Sequence, residues 1–149
     1  MGEFQQELLF SSDALLLGRV TYDRFAAAWP GMKDETGFAA RMNGMPKYVA
    51  SHALQAAEWN AESIAGDVAT AVARRKQEPG QNLLIYGSGQ LVEYLRQHGL
   101  IDEYRLMVFP VVLGSGKRLF ADAPTNFTLK SSHTTSAGVL VLTYQPANA

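Results

Sequence analysis

Residues 14–30 read Ala14-Leu15-Leu16-Leu17-Gly18-Arg19-Val20-Thr21-Tyr22-Asp23-Arg24-Phe25-Ala26-Ala27-Ala28-Trp29-Pro30. The uninterrupted apolar run Ala14 to Leu17 predicts a central strand covered on both faces, ended by Gly18. Tyr22, Phe25, Ala26 and Trp29 then recur at i, i+3, i+4 and i+7, the spacing of one helical face, and Pro30-Gly31 closes the helix. Strand, glycine turn and helix in that order are the building unit of an α/β sheet.

The unit returns downstream. Leu83 to Tyr86 predicts another buried strand, followed by Gly87-Ser88-Gly89 and a helix whose Leu91, Tyr94, Leu95 and His98 share a face. Between the two units, Lys47 to Ser51 predicts a strand and Asn43-Gly44 the turn before it. A short strand is assigned near Trp59 and Ile64, and a helix is expected from the cap Asp67 through Val68, Ala71, Val72 and Arg75, closed by Pro79-Gly80. Phe4, Leu8 and Leu9 suggest a short N-terminal helix ended by Ser11-Ser12, and Phe38 and Met42 a second short one. Glu103 to Val112 is strand-like, with Pro110 marking an edge or a bend. Phe127 to Leu129 and Val139 to Tyr144 predict an antiparallel hairpin turning near Gly138. The expected fold is one α/β domain over residues 1–149, a mostly parallel sheet with an antiparallel finish.

Composition narrows the function. The 149 residues are 47% hydrophobic and 18% charged, as in a globular chain with a real core. Thirteen basic against fourteen acidic side chains, without a block of either sign, leave no footprint for nucleic acid or an anionic membrane. The absence of Cys excludes disulfides, thiolate catalysis and cysteine-ligated zinc. His52, His98 and His133 are too far apart for ligand spacing, so no metal is expected, and His98 is placed at a helix end, where it can cap. Neither a membrane-length apolar run nor a signal-type start is visible, and the cytoplasm is the expected compartment.

Two junctions carry chemistry: Gly18-Arg19-Val20-Thr21 and Gly87-Ser88-Gly89-Gln90. Glycine lets backbone approach a ligand, and the helix that follows presents unbonded N–H groups and a positive dipole end, which suits phosphate. Both lie beyond the C-terminal ends of strands, where open α/β sheets bind ligands. A dinucleotide pyrophosphate would use both, although Val92 stands where the fingerprint GxGxxG needs its third glycine. Lys47 and Ser51 flank another strand and are candidates for a ribose 2'-phosphate. Lys117 and Arg118, in the loop Gly114-Ser115-Gly116-Lys117-Arg118, are candidates for a ligand phosphate or for plain solvation. Tyr22, Phe25 and Trp29 read as core anchors.

The segments LLLGRVTYDRFAAAWP, KYVAS and LLIYGSGQLVEYLRQHGLIDEYRLMVFPVVLGSGKRLF, with the terminal hairpin, resemble the dihydrofolate-reductase-like family from about Ser11 to Tyr144. The resemblance is to the bacterial branch built like the C-terminal reductase domain of bifunctional riboflavin-biosynthesis proteins, the RibD C-terminal domain. It implies a three-layer fold and an NADPH cofactor bound by Gly18, Arg19, Thr21, Ser51, Gly87, Ser88, Gly89 and Gln90, with Leu91 packed beneath. It also implies a homodimer, and hydride transfer to a C=N or C=O group of a small heterocyclic substrate, as in a 5-amino-6-(5-phosphoribosylamino)uracil reductase or a dihydrofolate reductase. Members of the family begin with a strand and a Ser-Leu-Asp-Gly-like segment near the nicotinamide. Nothing in Met1 to Phe10 matches it, so the first family strand is expected to be absent and no proton donor is assigned. Two other readings stand beside the reductase: a module that binds NADP(H) without turnover, and a purely structural homodimer.

Overall fold

The computed structural model describes residues 2–51, 58–64, 66–80, 82–87, 89–120 and 124–147. In chain order these form α1 (Gly2–Phe10), β1 (Ser12–Gly18), α2 (Arg19–Ala28), α3 (Phe38–Gly44), β2 (Lys47–Ala50), β3 (Ala61–Ser63), α4 (Val68–Lys76), β4 (Asn82–Ile85), α5 (Gly89–Gln97), β5 (Tyr104–Val108), β6 (Phe127–Thr134) and β7 (Leu140–Pro146). The first four strands make a parallel sheet in the order β3-β2-β1-β4. The last three make a separate antiparallel sheet in the order β5-β7-β6.

β1 is buried on both faces, and its alternation sorts the helices. Leu15 and Leu17 point into a core with Leu9 of α1, Tyr22 of α2, and Met42 and Met45 at the end of α3. Leu16 points the other way, into a core with Val72 of α4 and Leu91 and Leu95 of α5. The result is three layers with β1 in the middle, and the run Ala14-Leu15-Leu16-Leu17 is continuous because both faces are dry.

Local signals account for several boundaries. The hydroxyls of Ser11 and Ser12 donate to the Leu8 carbonyl at 3.0 and 2.8 Å and close α1. Asp67 caps α4 by accepting from the Thr70 N–H at 3.1 Å. Gly138, at φ +82, makes the turn between β6 and β7.

Three expectations are corrected. Asn43-Gly44 belongs to α3 rather than to a free turn, and the Asn43 side chain is engaged, donating to the Trp29 carbonyl at 2.9 Å and accepting from Trp59 Nε1 at 2.6 Å. The strand expected over Glu103 to Val112 stops at Val108, because beyond it the apolar side chains face solvent instead of a core. The strand near Trp59 is only Ala61–Ser63, since Trp59 and Asn60 both take positive φ, 63° and 56°, in the turn that precedes it.

Candidate functional site

β1 lies between β2 and β4, with Gly18 in register with Ala50 and Leu16 with Ile85. The C-terminal ends of the three strands therefore stand side by side. The chain leaves β1 into α2 on the Leu15/Leu17 face and leaves β4 into α5 on the Leu16 face. Neighbouring strands whose helices depart to opposite faces open a crevice between their ends, the usual ligand position in an open α/β sheet. Gly18 enters α2 in extended conformation, at φ −74 and ψ 167. Gly87 takes φ +54, and a methyl group built on it would stand 3.5 Å from Thr21 Oγ1. The two glycine junctions predicted from sequence thus meet at one place.

The helix N-termini at this edge differ in what they can accept. α4 is already filled: the Asp67 carboxylate accepts from Thr70 N–H, from Thr70 Oγ1 at 2.7 Å and from the Tyr94 hydroxyl at 2.9 Å. These hydrogen bonds hold the Asp67 carboxyl below its ordinary pKa, and the same contact raises the Tyr94 hydroxyl. α2 has no side-chain cap and no acidic residue in its first turn, and α5 has no acid in its first turn either. A helix start without a first-turn acid, as in α2, is electrostatically suited to an anion, while the residue that precedes α5 lies outside the described residues. Arg19 adds a cation in the first turn of α2, exposed, with Nε donating to both oxygens of Asp23 at 3.1 and 3.2 Å.

The remaining candidates fall into two groups. Ser51 directly follows β2, half-buried, with its N–H donating to the Val49 carbonyl at 3.0 Å. Gly89 and Gln90 open α5 and are exposed, while Leu91 is buried beneath them against the Leu16 core. Ser88 and His52 lie outside the described residues. His98 ends α5 with Nδ1 2.8 Å from the Tyr94 carbonyl. Lys47 departs from expectation: it starts β2, at the end of the strand away from the crevice, and is fully buried. Its Nζ donates to the Asn43 carbonyl at 2.9 Å and sits 4.0 Å from the Trp59 ring centroid. A phosphate cannot reach it there. Lys117 and Arg118 are exposed in the segment after β5.

Two tyrosines stand near the crevice, Tyr22, expected as a core anchor, and Tyr86, expected at the end of a buried strand. The Tyr22 hydroxyl accepts from the Glu58 N–H at 2.9 Å and donates to the Glu58 carbonyl at 3.1 Å, which ties the far end of the β2–β3 connection to α2 one turn beyond Arg19. Tyr86 follows β4 with its ring 6.2 Å from Phe25, and burial pushes its hydroxyl up to about 12, so it is neutral near pH 7. Helical spacing reports that the Tyr22 ring is inward, and the apolar strand run that Tyr86 is, but neither signal tells where the hydroxyl ends.

A hollow of about 350 Å³ beside β3 and α4 is a different place, lined by Tyr48, Glu62, Ile64, Arg74 and Arg75 among others. There Arg75 stacks on Tyr48 at 3.7 Å, donates to its hydroxyl at 2.9 Å and pairs with Glu62 at 3.2 Å. Among the described residues no three His, Asp or Glu side chains gather as a metal site. No described helix is long and apolar enough to cross a membrane.

Residues 1–141 match the RibD C-terminal domain. The uncharacterised Bacillus subtilis (strain 168) protein YyaP is 32% identical over 143 residues, covering 93% of this chain and 76% of its own. YwjB of the same organism is 30% identical over 129 residues, covering 87% and 70%. Among solved structures, a Shewanella sp. PV-4 protein assigned provisionally to riboflavin biosynthesis superposes with a TM-score of 0.75 at 22% identity, over 95% of this chain and 78% of that one. Acinetobacter baumannii RibD superposes with a TM-score of 0.67 at 15% identity, over 99% of this chain and 51% of that one. These structural likenesses speak for the fold.

Proposed function

This chain belongs to the RibD C-terminal domain family, and from that membership in a reductase-like family we propose that it is an NADPH-dependent reductase acting on a C=N or C=O group of a small heterocyclic molecule. The observation that carries the reading is the meeting of Thr21 and Gly87 at the mouth of the β1–β4 crevice, beside a helix start without a cap or an acid. A dinucleotide phosphate suits such a place, at the start of a helix beyond the C-terminal end of a strand.

The residues fit the cofactor in distinct ways. The first turn of α2 and the Arg19 guanidinium would hold phosphate, and Thr21 would offer its hydroxyl. Gly87 keeps the loop low enough for backbone approach, and Leu91 fixes the start of α5 from below. Ser51 stands at the neighbouring strand end, on the side suited to the ribose. When bound, NADPH supplies the hydride, and the protein's part is to orient and shield it. A cytoplasmic setting suits a reductase that draws on the NADPH pool.

Calorimetric titration with NADPH and NADH tests this reading. Micromolar affinity for NADPH, about tenfold or more tighter than for NADH, is the expected result, since a charge-assisted phosphate contact contributes at least that much. Binding without oxidation in the presence of pyrimidine or pterin substrates would move the reading to a cofactor-binding module. No binding at millimolar NADPH would remove it.

A further inference from the structure

Arg19 is the first residue of α2, and Asp23 stands one turn further along the same helix. Arg19 Nε donates to both Asp23 oxygens, at 3.1 and 3.2 Å. Helix stability does not ask for this pair. A cation in the first turn faces the positive end of the helix dipole, and an ion pair at this spacing stabilises a helix better with the acid first. Arg19 before Asp23 reverses both preferences. Water reaches the two side chains, which are 43% and 54% exposed, so the pair adds little to folding. Its consequence is for the guanidinium itself.

A guanidinium donates from Nε and from both Nη groups, and Asp23 takes the donor on Nε. Nη1 and Nη2 have no hydrogen-bond partner among the described residues. Together they form the end-on fork that grips a phosphate through two parallel bonds. Asp23 thus occupies the donor that end-on recognition leaves over, and it orients the group without covering its fork. A long side chain that is free before binding loses its rotamer freedom on binding, and one already held loses less. The negative charge of Asp23 works the other way, by repelling a phosphate, but at these exposed positions water and salt weaken that repulsion. We propose that Asp23 is a positioning residue, which orders Arg19 so that its Nη groups meet a phosphate of the cofactor. Asp23 itself touches no ligand, and its role rests on the cofactor reading above.

Calorimetric titration of NADPH into the full chain, Asp23→Ala, Asp23→Asn, Arg19→Ala and the variant that combines Arg19→Ala with Asp23→Ala tests the proposal. Asp23→Ala should weaken NADPH about three- to fivefold, the cost of ordering one long side chain less the relief of a like charge. Asp23→Asn should stay within about twofold of the unaltered chain, because its amide oxygen still accepts from Nε. A charge effect alone would instead tighten binding in both. With Arg19 already replaced, the loss of Asp23 should no longer weaken binding. In the cofactor-free chain, the Arg19 Nε–H resonance should be protected from exchange with water in the unaltered protein and in Asp23→Asn, and should lose that protection in Asp23→Ala. Equal or tighter NADPH binding by Asp23→Ala, the same loss from Asp23→Ala in both backgrounds, or an Nε–H that exchanges equally in all three proteins would overturn the proposal and leave the cofactor reading in place. No NADPH binding by the unaltered chain would remove both.

Discussion

Gly87 stands against Thr21, with only 3.5 Å between Thr21 Oγ1 and the position a methyl on Gly87 would occupy. These residues are far apart in the chain and belong to separate strand-to-helix junctions, yet the parallel pairing of β1 and β4 brings them together. The positive φ at Gly87, +54°, is what strains a side chain there, most of all a β-branched one. Gly87→Val should therefore weaken NADPH binding by a hundredfold or so while lowering stability by only about 1–2 kcal/mol. Calorimetry and thermal melting on the same sample separate the two effects; equal affinity in the variant would place the cofactor elsewhere.

Arg19 offers a graded test. Its contact with Asp23 is exposed and contributes little to stability. Arg19→Ala should leave the melting temperature within a degree or two and weaken NADPH roughly tenfold, the lower range for a charge-assisted contact. An unchanged dissociation constant would return Arg19 to a purely solvent-facing role.

The tether from Tyr22 to Glu58 predicts a stability effect. Tyr22→Phe removes a hydroxyl that both accepts from and donates to the Glu58 backbone. The loss should be about 1–2 kcal/mol, read as a fall of a few degrees in melting temperature.

Gly80 tests packing at the other end of the sheet. It takes φ +146, and a methyl group there would overlap Asp13 Oδ2. Gly80→Ala should destabilise by roughly 1–3 kcal/mol, and part of that loss should return in the Asp13→Ala background, where the overlap is gone and only the backbone strain remains. Additive melting shifts in the double variant would argue against the overlap.

Lys47 makes stability depend on pH. Burial lowers it from 10.5 to about 8. Between those values the unfolded chain holds a proton that the folded chain has lost, so stability rises with pH across the window. From pH 8 to 9.5 this group should add roughly 1–2 kcal/mol, and Lys47→Met should flatten that slope. Tyr86 works in the opposite sense at higher pH. Its folded hydroxyl titrates near 12 rather than 10, so its contribution is lost only as pH rises from 10 towards 12. Urea unfolding in steps from pH 7 to 9.5 reads the Lys47 effect without interference from Tyr86.

What was legible in the sequence was local or periodic. The apolar run before Gly18, the cap at Asp67 and the turn at Gly138 each follow from a few adjacent residues, and the structure has all three. The two glycine junctions were visible as separate signals; their meeting depends on strand order, which no local pattern encodes. Lys47 was misread because lysine at a strand end is ordinarily solvated, whereas here the Trp59 ring covers it and the Asn43 carbonyl accepts its proton. The strand through Pro110 was overextended because an apolar run looks the same whether it meets a core or solvent. The tie of Tyr22 to Glu58 crosses 36 residues and had no signal beyond the ring's place on a helical face.

Amide chemical-shift mapping of NADPH onto the isotopically labelled chain tests the central claim most directly. The account predicts that shifts concentrate at residues 18–21, at Ser51 and at residues 86–91, and that the amides near Lys47 and Lys117 stay where they are. Saturable shifts centred on the hollow formed by Tyr48, Arg74 and Arg75, or no shifts at millimolar NADPH, would contradict it.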